Sequence, residues 1–408
     1  MSKIAFFAPV YRGHIVATES LVEALNKRGH EVIYYAPLQY QELIQNMNVE
    51  YKQYPNIPSL EYLMVTKLPP TDLHARLLRL TEGAVNAAKD LIPLIIEDCT
   101  KESVDLIIYD NMAIWGHVIA KKLSIPSICS TTVMAINNET IINTGEGAVY
   151  TNLPEFIEEP FHRLQELYPS DISTLVDLIS GQYSSDIILY TSCYLQRHSQ
   201  YFNKNKYIFF PARYLGEELP ANNSISDLKQ PTIYVSFGTL YNHDLDRFIK
   251  ILNAFEGTEY KVTLSTGGEE EVYNSLLKYN TNPNISINLM LNQTTILKNT
   301  DIFITHGGFN SVQESIYHLV PMIVMPIAGD QNFIAKRLVE LNAAKTVDSN
   351  LPIEQQISGL VNDIVKDWDD HQASLLAIRD SLSDVQNMEE ALLRIEEKIY
   401  NNSYKDEL

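Results

Sequence analysis

The sequence predicts an α/β protein of two doubly wound parallel sheets facing a cleft, on three observations. Apolar runs of strand length alternate with segments of helical period. The alternation halts at a polar segment near the middle and then restarts. The 408 residues also exceed one ordinary core, so two Rossmann-like domains of about 200 residues each are expected.

The elements follow in order. Ile4 to Ala8 reads as the first strand, followed by a helix from about Ile15 to Arg28 whose Val16, Leu21, Val22 and Leu25 recur at helical spacing. Gly29 stands where a C-cap would. Glu31 to Ala36 is the second strand. Leu106 to Tyr109 is a short buried strand ending in Asp110, and Met112 to Leu123 a helix leading to a strand at Ser127 to Ser130. The acidic stretch Thr151 to Gly181 is mainly helical and precedes a strand at Asp186 to Thr191, whereas Pro55 to Arg79 and Met134 to Tyr150 read as irregular and apolar. Gly216-Glu-Glu-Leu-Pro-Ala-Asn-Asn-Ser-Ile-Ser-Asp has the composition of a linker. Strands then recur at Thr232 to Ser236, Lys261 to Leu264, Ile285 to Asn288, Ile302 to Thr305 and Met322 to Met325. After about Ser349 the chain is helical and charged, and the apolar stripe of Met388 to Ile399 needs a surface to lie on. The expected division is residues 1–215, a linker at 216–230, a second domain at 231–380, and a terminal helix and tail at 381–408.

Composition narrows the partners. With 45% apolar and 20% charged residues the chain has the balance of a soluble globular protein, and no run approaches the ~20 apolar residues of a membrane span. A formal charge of −20, from 31 basic and 51 acidic residues, repels nucleic acid and anionic lipid, so any phosphate must be held by local groups. Cys99, Cys129 and Cys193 are odd in number and widely spaced, which points to reduced thiols and a cytoplasmic location. The amino terminus enters a strand at once without a cleavage region. Lys405-Asp-Glu-Leu408 and Asn-x-Thr triplets such as that at Asn138 are therefore read as coincidental.

The chemistry gathers after Ile302 to Thr305. Ligands of open α/β sheets bind beyond the carboxyl ends of strands, where helix amino termini direct N–H groups at anions. Thr305-His-Gly-Gly-Phe-Asn-Ser-Val-Gln-Glu stands at such a place. Gly307 and Gly308 let the backbone approach a phosphate, and Asn310 and Ser311 can donate further hydrogen bonds. Glu314, one turn on, repels phosphate but can accept from both hydroxyls of a ribose. A Gly-Gly pair alone is usually a tight turn, and Asp330-Gln331 alone reads as a helix start. The joint spacing of His306, Asn310, Ser311, Glu314, Asp330 and Gln331 points instead to a nucleoside diphosphate.

That stretch, continued through Ser-Ile-Tyr-His-Leu-Val-Pro-Met to Pro326-Ile-Ala-Gly-Asp-Gln, resembles the donor signature of the family 1 UDP-glycosyltransferases. These have the GT-B fold, and the likeness is greatest to the bacterial branch that glycosylates macrolides and other small molecules. The resemblance implies that His306 contacts the pyrophosphate, that Gly308, Asn310 and Ser311 complete its binding, and that Glu314 holds the ribose. It assigns Asp330 and Gln331 to the hydroxyls of the donor sugar, with glucose preferred, and Ser236-Phe-Gly238-Thr239 to the loop facing the phosphates. Asn292-Gln293 aligns with a segment that usually begins Pro-Gln beside the base. Met290 stands where plant members carry a base-stacking tryptophan, which leaves uracil recognition to apolar packing and backbone hydrogen bonds and favours UDP over TDP less strongly.

Displacing a nucleotide from an anomeric carbon needs a base for the acceptor hydroxyl and a stabilised leaving group. His14, in Tyr11-Arg-Gly-His, follows the first strand, and neutral imidazole accepts protons near physiological pH. Asp110 ends a strand of the same sheet and could fix the tautomer of His14. A capping histidine and a capping aspartate are the plain alternatives, and the resemblance favours the catalytic pair. It likewise makes His30 a structural residue, and His117 and His318, placed within helices, are read as structural too. No Asp-x-Asp stands at a strand end, so metal independence is expected, with no cofactor beyond the nucleotide sugar. A single displacement inverts the anomeric configuration. Met112, Trp115 and Met134 are candidate acceptor contacts, although a tryptophan on a helix is more often core. The expected partners are a UDP-sugar and a small hydroxylated acceptor, with no nucleic acid, no membrane insertion and a monomeric state. A GT-B nucleotide-sugar epimerase and a catalytically silent nucleotide-sugar-binding subunit are the rivals.

Overall fold

The computed structural model describes residues 1–60, 73–147, 151, 155–169, 171–210, 230–239, 242–327, 329–383 and 385–403. The proposed linker and Lys405-Asp-Glu-Leu408 lie almost wholly outside these residues. Contacts divide the chain into two units, residues 1–215 with 383–408, and residues 216–382.

The first unit is a parallel sheet of seven strands: β1 Lys3–Phe7, β2 Glu31–Ala36, β3 Glu50–Gln53, β4 Leu106–Asp110, β5 Ser127–Thr131, β6 Ile187–Leu189 and β7 Tyr207–Phe209. Their order is β3-β2-β1-β4-β5-β6-β7, so the winding reverses between β1 and β4. Both central strands are buried on two faces, as a parallel sheet covered by helices requires. Ala5, Phe7, Ile107 and Tyr109 enter one core, while Ile4, Phe6, Leu106 and Ile108 enter the other, following the alternation of the pleat.

The second core is completed from the far end of the sequence. Ala391, Leu392, Ile395 and Ile399 of the helix Val385–Ser403 pack into it, supplying the surface that this apolar stripe requires. Arg28 donates to Glu396 and Glu389, holding the Glu396 carboxyl below its ordinary range, and His30 pairs with Glu396 at 3.1 Å. Arg394 donates to the carbonyls of Lys204, Asn205 and Tyr207.

The second unit is a parallel sheet of six strands: β8 Thr232–Ser236, β9 Lys261–Ser265, β10 Ile285–Asn288, β11 Ile302–Thr305, β12 Met322–Val324 and β13 Ala344–Thr346. The order β10-β9-β8-β11-β12-β13 again reverses beside the first strand, between β8 and β11.

Several expectations are corrected. The first helix is two, Arg12–Ala17 and Glu19–Lys27, because the Thr18 hydroxyl turns back to the Ile15 carbonyl at 2.8 Å and meets the Tyr34 hydroxyl at 2.9 Å. Residues 61–72 of the supposed irregular stretch lie outside the described residues, and from Leu73 the chain is a helix running to Glu102 with Pro93 inside it. The 134–150 stretch holds a further helix, Asn138–Thr144, capped by Asn137, whose side chain accepts from the Thr140 N–H, and closed by Gly145 at φ 73°. Residues 148–150 of it are outside the described set. Met112 to Ile114 are not helical. The Asp110 carboxylate and carbonyl take the Met112 and Ala113 N–H groups, so the helix begins at Trp115.

Candidate active site

The winding reverses between β1 and β4, the kind of place where open α/β sheets bind ligands, and two predicted groups meet at the carboxyl ends of these strands. His14 sits on the helix after β1, and Asp110 is the last residue of β4. The His14 Nδ1 lies 2.9 Å from the Asp110 Oδ2. Asp110 is 1% exposed and the His14 side chain 18%, so the carboxylate is shielded while the imidazole reaches the surface. The other Asp110 oxygen accepts the Met112 N–H at 2.9 Å, fixing the plane of the carboxylate. A carboxylate only accepts, so Nδ1 carries the hydrogen and Nε2 becomes the basic nitrogen. The contact fixes the tautomer and the aim of the imidazole. The Tyr11 ring, 5.6 Å from the imidazole between centroids, supports its orientation.

The acceptor contacts fare differently. Trp115 is 0% exposed, its indole N–H donating to Tyr54 Oη at 3.2 Å and its ring packed edge-on against that of Tyr54. It belongs to the core and offers an acceptor no surface. Met112 and Met134 are also buried.

In the second unit the predicted donor residues lie at or beyond the carboxyl ends of β8, β10, β11 and β12. Ser265, Ser236 and Thr305 are aligned in register across β9, β8 and β11. Each hydroxyl accepts from the N–H of the glycine two residues on: Gly267 at 3.3 Å, Gly238 at 3.4 Å and Gly307 at 3.3 Å. The three glycines have φ of 61°, 75° and 82°, a region that other residues enter only with strain. One short turn is thus built three times along the sheet edge.

His306 lies within this edge. A Cβ on Gly238 would sit 2.8 Å from the His306 Cε1, and one on Gly308 would overlap the Nε2, so both glycines make room for the ring. Burial, then the nearby Arg247 charge, push the His306 pKa down to about 4, and the ring is neutral at pH 7. Gly308 is the N-cap of the helix Phe309–Tyr317, whose first turn contains Asn310 and Ser311 and directs N–H groups outward. Gln293 ties the next positions together, donating to Ser311 Oγ at 2.9 Å and to Glu314 Oε2 at 2.5 Å. Met290, 59% exposed, stands beside the β9 turn, its Cε in reach of a side chain at Gly268. Asp330 stands at the N-cap position of the helix Gln331–Glu340, and Gln331 braces the preceding loop by accepting the Ile327 N–H at 2.7 Å.

Sequence reasoning missed Ser265, Gly267 and Asn242. The Asn242 amide donates to the carbonyls of Gly238 and Gly267, joining two of the turns. The recurrence of hydroxyl-x-Gly in Ser236-Phe-Gly, Ser265-Thr-Gly and Thr305-His-Gly is the signal that marks the first two. Among the described residues no group of three or more His, Cys, Asp or Glu is arranged to hold a metal ion, and no helix is long and apolar enough to cross a membrane.

Residues 223–372 match the UDP-glucoronosyl and UDP-glucosyl transferase family. An uncharacterized UDP-glucosyltransferase of Bacillus subtilis is 27% identical over 95% of this chain and 96% of its own. Demethyllactenocin mycarosyltransferase of Streptomyces fradiae is 24% identical over 90% of this chain and 80% of its own. Among solved structures, the glycosyltransferase of kitacinnamycin superposes with a TM-score of 0.78 at 21% identity, covering 98% of this chain and 99% of that one. The calicheamicin glycosyltransferase CalG4 gives 0.74 at 17% identity, covering 98% of each chain. The two parallel sheets thus give the chain the GT-B fold of these glycosyltransferase structures, and its match to the UDP-glucoronosyl and UDP-glucosyl transferase family lies in residues 223–372, the part that carries His306, Glu314 and Gln331.

Proposed function

We propose that the protein transfers a hexose, with glucose preferred, from a UDP-sugar to a hydroxyl of a small, largely apolar acceptor such as a macrolide or a phenolic natural product. The observation that carries this reading is the 2.9 Å pair of His14 and Asp110 at the carboxyl edge of the first sheet. His14 Nε2 takes the proton of the acceptor hydroxyl as that oxygen attacks the anomeric carbon, and Asp110 stabilises the imidazolium so formed. The bond from the anomeric carbon to the diphosphate breaks in the same step, which inverts the configuration. Neutral His306 donates a hydrogen bond to the departing diphosphate, and the amino end of the helix Phe309–Tyr317 adds its dipole. Glu314 receives the ribose hydroxyls, and Asp330 and Gln331 those of the sugar. These groups suffice without a metal or further cofactor. The solved relatives are named for kitacinnamycin, calicheamicin and spinosyn, which favours a natural-product acceptor.

TDP is a second reading of the nucleotide. Exposed Met290 offers either pyrimidine an apolar face, and spinosyn rhamnosyltransferase is known in complex with thymidine diphosphate. The test incubates the protein with UDP-glucose or TDP-glucose, a panel of macrolides and phenols, and EDTA, and looks for a hexose adduct by mass spectrometry. An adduct from UDP-glucose that His14→Ala abolishes is expected. Failure of every acceptor with both donors would overturn the reading, and loss of the adduct with EDTA would overturn its metal independence.

A further inference from the structure

We infer that Asn242 is a positioning residue of the donor site, turning the peptide between Gly238 and Thr239 so that its N–H faces the diphosphate. The inference rests on the nucleotide-sugar reading above and concerns a residue outside the donor signature. Asn242 is 0% exposed and follows the β8 turn. Its Nδ2 donates to the Gly238 carbonyl at 2.5 Å and to the Gly267 carbonyl at 3.4 Å. Both neighbours are acceptors, which fixes the nitrogen, and not the oxygen, toward them.

The consequence for the backbone is geometric. In a trans peptide the C=O and N–H point in opposite directions. Drawing the Gly238 carbonyl inward to a fully buried amide therefore sends the Thr239 N–H outward, on exposed Thr239 at the carboxyl edge of the sheet. Rotated the other way, that peptide would aim a carbonyl at a diphosphate and repel it. Gly267 completes the arrangement, since a side chain there would collide with the Asn242 amide and the Gly238 carbonyl.

The residue is also costly to the fold. Among the described residues the Asn242 Oδ1 has no hydrogen-bond partner, a desolvation penalty that an apolar residue would avoid. Such a group is better explained by what its nitrogen holds than by stability.

The experiment compares UDP with uridine, which keeps the base and ribose but lacks the diphosphate. Both are titrated by NMR into wild type, Asn242→Ala and Asn242→Ser, the last retaining a polar group should alanine fail to fold. Loss of one charge-assisted hydrogen bond predicts UDP binding weakened about tenfold to a hundredfold with uridine binding unchanged. Equal loss for both ligands would mean that Asn242 only shapes the site, and unchanged UDP binding would remove its role altogether; either result overturns the proposal. Wild type that binds neither UDP nor TDP would overturn the nucleotide-sugar reading itself, a failure seen before any substitution is made.

Discussion

A methyl group on Gly308 would overlap the His306 ring, and the two cannot share their present positions. Gly308→Ala is expected to displace the imidazole and weaken UDP binding at least tenfold by calorimetry; binding within twofold of wild type would show that the ring does not touch the nucleotide. Asp110→Asn tests the other unit. An amide in place of the carboxylate cannot stabilise an imidazolium and can hold the wrong tautomer, so turnover should fall by about 100-fold to 10,000-fold while UDP binding stays as it is. An unchanged turnover would demote Asp110 to a turn-former, the role its bond to the Met112 N–H already gives it. Residues of this kind were legible because the chemistry concentrates uncommon side chains over a few positions, as in His306 to Glu314. Asn242 was not, because its meaning lies in a bond to Gly267, 25 residues away in the turn after β9. Trp115 takes the core role that a tryptophan on a helix more often has, since nearness to Asp110 in sequence says nothing about which face of a helix is buried.

The helix Val385–Ser403 shows what one element contributes to a core. Leu392 and Ile395 lie within the second core of the first unit, and truncating a buried Leu or Ile to alanine costs about 2–5 kcal/mol. Leu392→Ala with Ile395→Ala should lower the urea midpoint of the first unit and leave that of the second unchanged, followed by hydrogen exchange in β1 and β8. A common loss in both would mean that the units unfold as one. The central strands were readable in the sequence since burial on two faces makes them apolar but for their ends, as in β1, β4, β8 and β11. The edge strands β3 and β13 are not legible because each is only three or four residues long with at most one buried position, and pairing on one side supplies the order that composition does not. Short β7 is not legible either, although it is largely buried. The Asn137 cap and the Gly145 closure were present as signals, yet a seven-residue helix has too few turns to reveal a period.

Taken as a whole, the molecule should lose stability in acid. Burial pushes His117, His306 and His318 down to about 4 from the ordinary value near 6.5. Between those values the unfolded chain binds protons that the folded chain refuses, so the stabilisation is complete above about pH 6.5 and is lost as pH falls toward 4. Each histidine contributes on the order of 1 kcal/mol or more. Urea midpoints at pH 7.5 and pH 5 should differ in both units, since His117 belongs to the first and the other two to the second; equal midpoints would contradict the burial argument. The division into units bears also on synthesis. Residues 216–382 stand as an insertion between two parts of the first unit. A ribosome working from the amino end releases Leu392, Ile395 and Ile399 after every strand of both sheets, so the later unit in the sequence is complete while the earlier one still has an uncovered core. Maturation therefore runs against the order of translation, and the half of the molecule made first is the half finished last.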